Sequence, residues 1–234
     1  MSGTLYGLGI GPGDPDLITV KSLKILQKTD ILAYPTLEDG DSLARAIVAP
    51  HLSGKHTEIP IRIPMVVERK PAQDAYDAAA DELKTHLKQG KDIAVLCEGD
   101  PFFYGSFMYL FGRIAEEYPV EVIPGVSSLT ACSSALQAPL SARNDILTVL
   151  PAPLDTETLR SRIEAADSLA IMKVGRHFDR VRDLINDMKL MDKAHYIERA
   201  TLENQKIMPL DDVPPSAAPY FSMILIHKRG QAWK

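Results

Sequence analysis

Short runs in which every residue is apolar alternate with amphipathic helical segments along this chain. The runs 93–96, 169–172 and 223–226 are apolar on both faces, which is typical of central strands in a covered sheet. The segment 72–87 instead repeats its apolar residues at helical spacing. This alternation predicts an α/β fold with mostly parallel sheets that are covered by helices on both faces.

The pattern of strands and helices restarts after Tyr118-Pro119, which is the best candidate for a domain boundary. A chain of 234 residues is long enough for two domains of roughly 100–120 residues each. We therefore predict one α/β domain over 1–118 and a second over 119–234. Because such sheets bind ligands beyond the carboxyl ends of their strands, we expect a ligand cleft between the two domains.

Composition excludes several classes of protein. The formal net charge of −5 argues against a general nucleic-acid binder, which needs a basic surface. No apolar run approaches the length of about 18 residues that a membrane span requires. Only two cysteines occur, Cys97 and Cys132, so a disulfide scaffold is excluded and a reducing cytoplasm is favoured. The six histidines show no metal-binding spacing, so we expect no metal site.

The richest turn has the sequence G-L-G-I-G-P-G-D-P at 7–15, between a predicted strand and a predicted helix. Glycines there let the backbone approach a ligand closely. The dinucleotide fingerprint G-x-G-x-x-G fails in both registers, because its last position is Pro12 or Asp14. Asp14 also places a negative charge where a phosphate would bind, so a neutral or cationic ligand is favoured. A turn that only packs remains the alternative.

Two further turns follow predicted strands. The segment 97–106, C-E-G-D-P-F-F-Y-G-S, places Glu98 and Asp100 at the carboxyl end of a central strand, where they could accept hydrogen bonds from a ligand. The segment 123–128, I-P-G-V-S-S, opens a helix, and Ser127 alone is best interpreted as its N-cap. The missing final glycine of G-x-S-x-G weighs against a serine hydrolase.

Taken in order, these turns resemble the motifs of the tetrapyrrole (corrin/porphyrin) methylase family, whose members transfer methyl groups from S-adenosylmethionine. The segments 9–19, 98–105 and 124–128 resemble the first three motifs, and 171–173 and 198–201 resemble the fourth and fifth. The match extends along the whole chain. Finer details resemble the members that methylate C20 of precorrin-2 in cobalamin biosynthesis. Members that act on uroporphyrinogen carry an Asp where this chain has Pro35, so no base is carried over to that position.

The resemblance implies the tetrapyrrole methylase fold and a homodimer that converts precorrin-2, or its cobalt complex, to the C20-methylated product, which is precorrin-3A in the metal-free case. It implies that S-adenosylmethionine, and the product S-adenosylhomocysteine, contact Pro12, Gly99, Asp100, Phe103, Ser127, Ser128, Met172 and Ala200. The tetrapyrrole pocket is expected to include Gly11, Gly13, Asp14 and Tyr104. Candidates for binding the substrate carboxylates are Arg62, Arg113, Arg143, Arg176 and Arg199.

The sequence assigns no catalytic base, and Glu98, Tyr104 and water are all candidates for accepting a proton. Two rival functions stay open at this point. One is a nicotinamide-dependent oxidoreductase with a distorted fingerprint, and the other is a tetrapyrrole carrier without catalytic activity.

Overall fold

The computed structural model describes residues 2–37, 40–64 and 68–230. It divides into two compact units, Met1–Ser127 and Ser128–Lys234, each built on one five-stranded sheet. The strands are β1 (Leu5–Gly9), β2 (Ile31–Thr36), β3 (Thr57–Arg62), β4 (Ile93–Cys97), β5 (Val120–Ile123), β6 (Leu147–Pro151), β7 (Ser168–Met172), β8 (Ala194–Glu198), β9 (Lys206–Met208) and β10 (Ser222–His227). The helices are α1 (Val20–Leu26), α2 (Leu43–Val48), α3 (Arg69–Lys88), α4 (Phe107–Ile114), α5 (Ser128–Ala135), α6 (Thr156–Ala165) and α7 (Phe178–Asp187).

The first sheet has the strand order β3-β2-β4-β1-β5, and every neighbouring pair is parallel. The prediction of a parallel sheet is confirmed here. Helices α3 and α4 bury their apolar residues against one face, and α1 and α2 bury theirs against the other. Central β4 is therefore buried and apolar on both faces, as the all-apolar run 93–96 predicts.

The second sheet has the order β6-β7-β10-β8-β9, and here the prediction of a mostly parallel sheet is wrong. Only β6 and β7 are parallel, whereas β10 is antiparallel to both β7 and β8, and β9 is antiparallel to β8. A parallel connection needs a crossover of about a dozen residues, usually a helix. The short segment 199–205 joins β8 to β9, so these strands form a hairpin instead.

The domain boundary predicted between 118 and 119 also needs correction. Strand β5 pairs with β1 over Leu5↔Val120 to Leu8↔Ile123, so it completes the first sheet. The first unit accordingly extends to Ser127. The Tyr118-Pro119 pair is a connection inside this unit, and the carbonyl of Pro119 accepts a hydrogen bond from Leu5 N–H at 2.9 Å.

Two proline-containing segments have a particular local structure. The chain after the 7–15 turn first forms a 3₁₀ turn over Pro15–Leu17, and α1 begins separately behind Thr19, whose hydroxyl accepts from Ser22 N–H at 3.1 Å. Strand β2 continues through Pro35 because its pairing with β4 has already ended at Ala33. Within the three described ranges, no helix has the length and apolar character needed to cross a bilayer.

A cluster of polar side chains around Asp145 joins the segment before β6 to the end of β10. Asp145 Oδ2 accepts from Ala142 N–H at 2.9 Å and lies 2.9 Å from His227 Nε2, while Oδ1 accepts from Arg229. Burial by itself raises the pKa of Asp145, but these hydrogen bonds outweigh it and hold the pKa below its usual value.

Candidate functional site

In the first unit, the three predicted turns follow the carboxyl ends of the adjacent strands β4, β1 and β5. The first two turns are joined by their backbones, because Gly99 N–H donates to the Gly11 carbonyl at 2.8 Å. Both glycines have a left-handed backbone, with φ of +83° at Gly11 and +67° at Gly99. Glycine is the residue that adopts this conformation without steric penalty. The geometry therefore explains why both positions carry glycine.

Asp100 braces the second turn against the third. Its Oδ1 accepts from the backbone N–H groups of Phe102 at 2.9 Å and Phe103 at 3.1 Å. Its Oδ2 accepts from Gly125 N–H at 3.1 Å, across 25 residues of sequence. The carboxylate thus connects two turns that are far apart in the sequence.

Close backbone packing also joins the three turns. A Cβ added at Gly9 would lie 2.4 Å from the Gly125 nitrogen, and one added at Gly125 would lie 2.0 Å from the Gly99 carbonyl oxygen. No side chain fits at such distances, so Gly9 and Gly125 have a packing role. This packing role does not exclude a role in ligand binding. The packed backbone lies at the carboxyl edge of the parallel sheet, which is where such sheets bind ligands.

The predicted pocket residues Gly11, Gly13, Asp14 and Tyr104 all lie in the first unit. Asp14 caps the 3₁₀ turn, since its Oδ1 accepts from Asp16 N–H at 2.9 Å. Pro12 and Asp14 are half-buried, whereas Gly13 is buried.

Tyr104 is 42 % exposed and has a φ of +57°, which is uncommon for a bulky residue and typical of functional turns. Its ring meets that of Phe103 edge to face, with centroids 5.2 Å apart.

Glu98 lies between β4 and the Gly99–Asp100 turn. Burial raises the pKa of its carboxyl group. Hydrogen bonds from its own N–H and from Ala44 N–H, at the start of α2, lower the pKa by a smaller amount. Burial also raises the pKa of the Cys97 thiol to about 11 and that of Cys132 to about 12. Both thiols are therefore protonated at neutral pH and unsuited to nucleophilic chemistry.

The predicted site residues of the second unit are Ser128, Met172 and Ala200. Met172 ends β7 and Ala200 follows β8, at the same edge of the sheet, with the start of β10 between them. Met172 and Ala200 belong to one apolar cluster with Cys132 of α5, the helix that Ser128 begins. The structure therefore groups these three residues within one unit, and places Pro12, Gly99, Asp100, Phe103 and Ser127 in the other.

Three non-glycine residues with a left-handed backbone lie at this edge of the second sheet. Lys173 has a φ of +57°, and Arg199 and Thr201, on either side of Ala200, have φ of +51° and +69°. The buried side chain of Glu198 lies next to this turn, and a role for it was not predicted from the sequence. A signal was available, because a carboxylate directly follows the buried pair Tyr196-Ile197 at the end of β8.

Two of the predicted carboxylate-binding arginines are engaged within the protein. Arg113 donates to Asp77 at 2.6 Å and to the Tyr109 carbonyl at 2.8 Å, and Arg199 donates to Glu198 at 3.1 Å. Arg62, Arg143 and Arg176 are exposed, so they remain better candidates for binding a carboxylated ligand.

Known proteins match this chain over most of its length. The sequence profile of the Tetrapyrrole (Corrin/Porphyrin) Methylases matches residues 4–214. The chain is 36 % identical over 232 residues to "Cobalamin biosynthesis protein CobIJ" of Mycobacterium bovis, and this covers 96 % of the chain but only 46 % of that protein. The chain thus spans about half the length of this longer relative.

Two relatives match over nearly their full length. The chain is 38 % identical over 232 residues to the "Precorrin-2 C(20)-methyltransferase" of a Sinorhizobium species, covering 96 % of the chain and 95 % of the relative. It is 32 % identical over 235 residues to the "Cobalt-precorrin-2 C(20)-methyltransferase" of Salmonella typhimurium, covering 98 % of each.

Solved structures share the fold. The cobalt precorrin-4 methyltransferase CbiF superposes with a TM-score of 0.71 at 24 % identity, over 95 % of this chain and 94 % of that one. The uroporphyrin-III C-methyltransferase of Thermus thermophilus, crystallised with S-adenosylhomocysteine, has a TM-score of 0.67 at 20 % identity, over 97 % of this chain and 99 % of that one.

Proposed function

The chain belongs to the tetrapyrrole (corrin/porphyrin) methylase family, and we propose that it transfers the methyl group of S-adenosylmethionine to C20 of precorrin-2, giving precorrin-3A. One observation carries this choice of substrate. The 38 % identity to the Sinorhizobium C20-methyltransferase extends over nearly the whole of both chains. Cobalt-precorrin-2 is the second candidate substrate, because the Salmonella relative also matches over almost its full length.

The charges of the first unit's turns support S-adenosylmethionine as cofactor. The segments 7–15, 97–106 and 123–128 contain Asp14, Glu98 and Asp100 but no Lys or Arg. Carboxylates without neighbouring cations favour a cationic sulfonium over an anionic phosphate. The left-handed glycines let backbone groups approach such a ligand closely.

We assign cofactor contacts to the eight residues predicted from the sequence. In the first unit these are Pro12, Gly99, Asp100, Phe103 and Ser127, and in the second they are Ser128, Met172 and Ala200. Met172 and Ala200 are each less than one-tenth exposed, so they suit an apolar wall for an adenosyl group. We assign Gly11, Gly13, Asp14 and Tyr104 to the tetrapyrrole pocket.

Bound S-adenosylmethionine supplies an electrophilic methyl group on a good leaving group, so no covalent intermediate with the protein is needed. The residues of this chain have to align the reacting carbon with that methyl and exclude water. Carbon C20 must then release its hydrogen as a proton, which restores the conjugation of the macrocycle. Glu98, Tyr104 and water are the candidate acceptors.

Mass spectrometry of the protein incubated with S-adenosylmethionine and either substrate tests the proposal. We expect one added methyl on precorrin-2, whereas methylation of cobalt-precorrin-2 alone would favour the second candidate. Thermal stabilisation by S-adenosylhomocysteine and not by NAD or NADP separates a methyltransferase from an oxidoreductase. Tetrapyrrole binding without methyl transfer would identify a carrier and refute the proposed activity.

We also propose that the protein acts as a homodimer in the cytoplasm. The two buried free cysteines support a reducing compartment. Light scattering after size-exclusion chromatography tests the assembly, and a mass of one chain at micromolar concentration would contradict it.

A further inference from the structure

Glu198, the last residue of β8, carries a buried carboxylate that is only 5 % exposed as a residue. Its Oε2 accepts from the Tyr196 hydroxyl at 2.8 Å, and its Oε1 accepts from Arg199 Nη1 at 3.1 Å. Lys206, directly opposite on β9, places its Nζ 3.5 Å from the same Oε1. Three donors therefore converge on one carboxylate beneath the turn that contains Ala200.

The Tyr196 hydroxyl is held as a donor. Burial, together with the hydrogen bond to Glu198, raises the pKa of this phenol, so it keeps its proton at neutral pH. Its ring packs edge to face on Phe178, with centroids 5.4 Å apart. One side of the Glu198 carboxylate is thus fixed by a rigid, buried side chain.

The other side of the carboxylate holds the turn. Arg199 and Thr201 are both left-handed, so the turn occupies a conformation that isolated residues rarely adopt. Arg199 N–H donates to the Phe221 carbonyl at 2.8 Å, and Thr201 N–H donates to Gln205 Oε1 at 2.8 Å. The ion pair between Glu198 and the Arg199 guanidinium further restricts the turn, because it attaches the Arg199 side chain to a buried carboxylate.

A buried carboxylate that pairs with partly exposed cations is an unusual choice for stability alone. An apolar residue of similar volume at such a position is often neutral or stabilising, because burying charges is unfavourable. The carboxylate instead contributes orientation. It fixes the position of the Arg199 side chain, and thereby the backbone conformation on both sides of Ala200. This distinction between orientation and stability can be measured.

We propose that Glu198 is a positioning residue for cofactor binding, which sets the conformation of the Arg199–Thr201 turn and so the place of Ala200 against S-adenosylmethionine. The inference rests on the proposed function, in which Ala200 contacts the cofactor. Glu198 itself is covered by Tyr196, Arg199 and Lys206 and acts through the turn.

Glu198→Gln is the informative variant. The amide keeps the size of the side chain and an acceptor for the Tyr196 hydroxyl, but it leaves Arg199 and Lys206 without their counter-charge. We expect the Kd for S-adenosylhomocysteine and the KM for S-adenosylmethionine to rise about tenfold, the scale of one charge-assisted hydrogen bond. At saturating cofactor we expect kcat to stay within about twofold of the wild type, because the reacting groups are untouched.

Asp155→Ala is the matched control in the same unit. Asp155 caps α6 by accepting from Thr158 N–H at 2.9 Å, and alanine removes this cap, so the replacement lowers stability away from the turn. We expect this variant to melt at a lower temperature and to bind S-adenosylhomocysteine like the wild type. If Glu198→Gln does not fold, Tyr196→Phe, which removes a single hydroxyl, is expected to shift the Kd in the same direction by a smaller factor and decides in its place.

Isothermal titration calorimetry and steady-state kinetics give the outcomes. A Kd for the folded Glu198→Gln variant within about twofold of the wild type, or an equal loss in Asp155→Ala, would overturn the positioning role. A fall in kcat at unchanged KM would overturn it as well. A wild-type protein that does not bind S-adenosylhomocysteine would instead refute the proposed function itself.

Discussion

Replacing Asp100 by Asn tests whether this carboxylate holds the turns of the first unit together. The carboxylate accepts three backbone hydrogen bonds, two from its own turn and one from Gly125. An amide has one acceptor oxygen, which can keep the N–H groups of Phe102 and Phe103. Its NH₂ group then faces Gly125 N–H, so two donors oppose each other and the connection between the turns is lost.

The magnitude follows from that single lost contact. Losing a hydrogen bond to a charged acceptor and leaving a donor unpaired costs about 2–3 kcal/mol of the free energy of unfolding. For a chain of this length, such a loss lowers Tm by about 4–12 °C. Because Gly99, Phe103 and Ser127 lie in the same two turns, we expect the Kd for S-adenosylhomocysteine to rise about tenfold as well.

Asp92→Asn is the control, since Asp92 accepts from Thr4 N–H at 2.8 Å at the opposite end of the same strands. Its amide oxygen can keep this one bond, so we expect a loss below about 1 kcal/mol and unchanged affinity. Thermal melts and calorimetric titrations with S-adenosylhomocysteine measure both quantities. The reasoning is refuted if Asp100→Asn melts no lower than Asp92→Asn, or if it binds the ligand within twofold of the wild type.

Four further variants, in three experiments, test other parts of the structure. A double Cys97→Ala, Cys132→Ala variant should keep measurable methyl transfer, because both thiols are buried and protonated; complete loss of turnover in a folded, cofactor-binding variant would contradict this. Gly125→Ala should be strongly destabilised, whereas Gly112→Ala, which faces open space in α4, should gain about 0.5–1 kcal/mol in helix propensity. Urea unfolding ranks the two, and equal stabilities would show that the turns are not in backbone contact. Because the pKa of Asp145 is lowered in the folded state, its charge stabilises the fold above about pH 4, and that contribution disappears as the pH falls through the folded pKa. Asp145→Asn should therefore be less stable than the wild type at pH 7, with a difference that shrinks towards pH 3 in thermal melts, and a constant difference would argue against the assignment.

Local patterns in the sequence predicted most elements of the structure and the turns that carry the candidate site. Apolar runs identified the central strands, including β4 and β10, because burial on both faces requires an apolar side chain at every position. Segments with weaker patterns were missed. Strand β3 alternates between exposed and buried residues at the edge of its sheet, and β9 has only three residues.

The direction of strands in the second sheet was not predictable from the same patterns. An all-apolar strand has the same composition whether its neighbours run parallel or antiparallel to it. The direction of β10 depends on how the segment 209–221 returns to the sheet, and this is a property of the folded chain. The placement of β5 was misjudged for a related reason, because its pairing with β1 joins residues more than a hundred positions apart.

By itself, the sequence determined the α/β class, the family and the glycine-rich turns, because apolar periodicity and turn chemistry are encoded in neighbouring residues. Only the tertiary structure decided what those turns touch. The contact from Asp100 to Gly125, the backbone packing of Gly9 against Gly125, and the convergence of Tyr196, Arg199 and Lys206 on Glu198 all depend on how strands pair. Such contacts depend on the distance between chain segments in the folded state, and no spacing along the sequence specifies that distance.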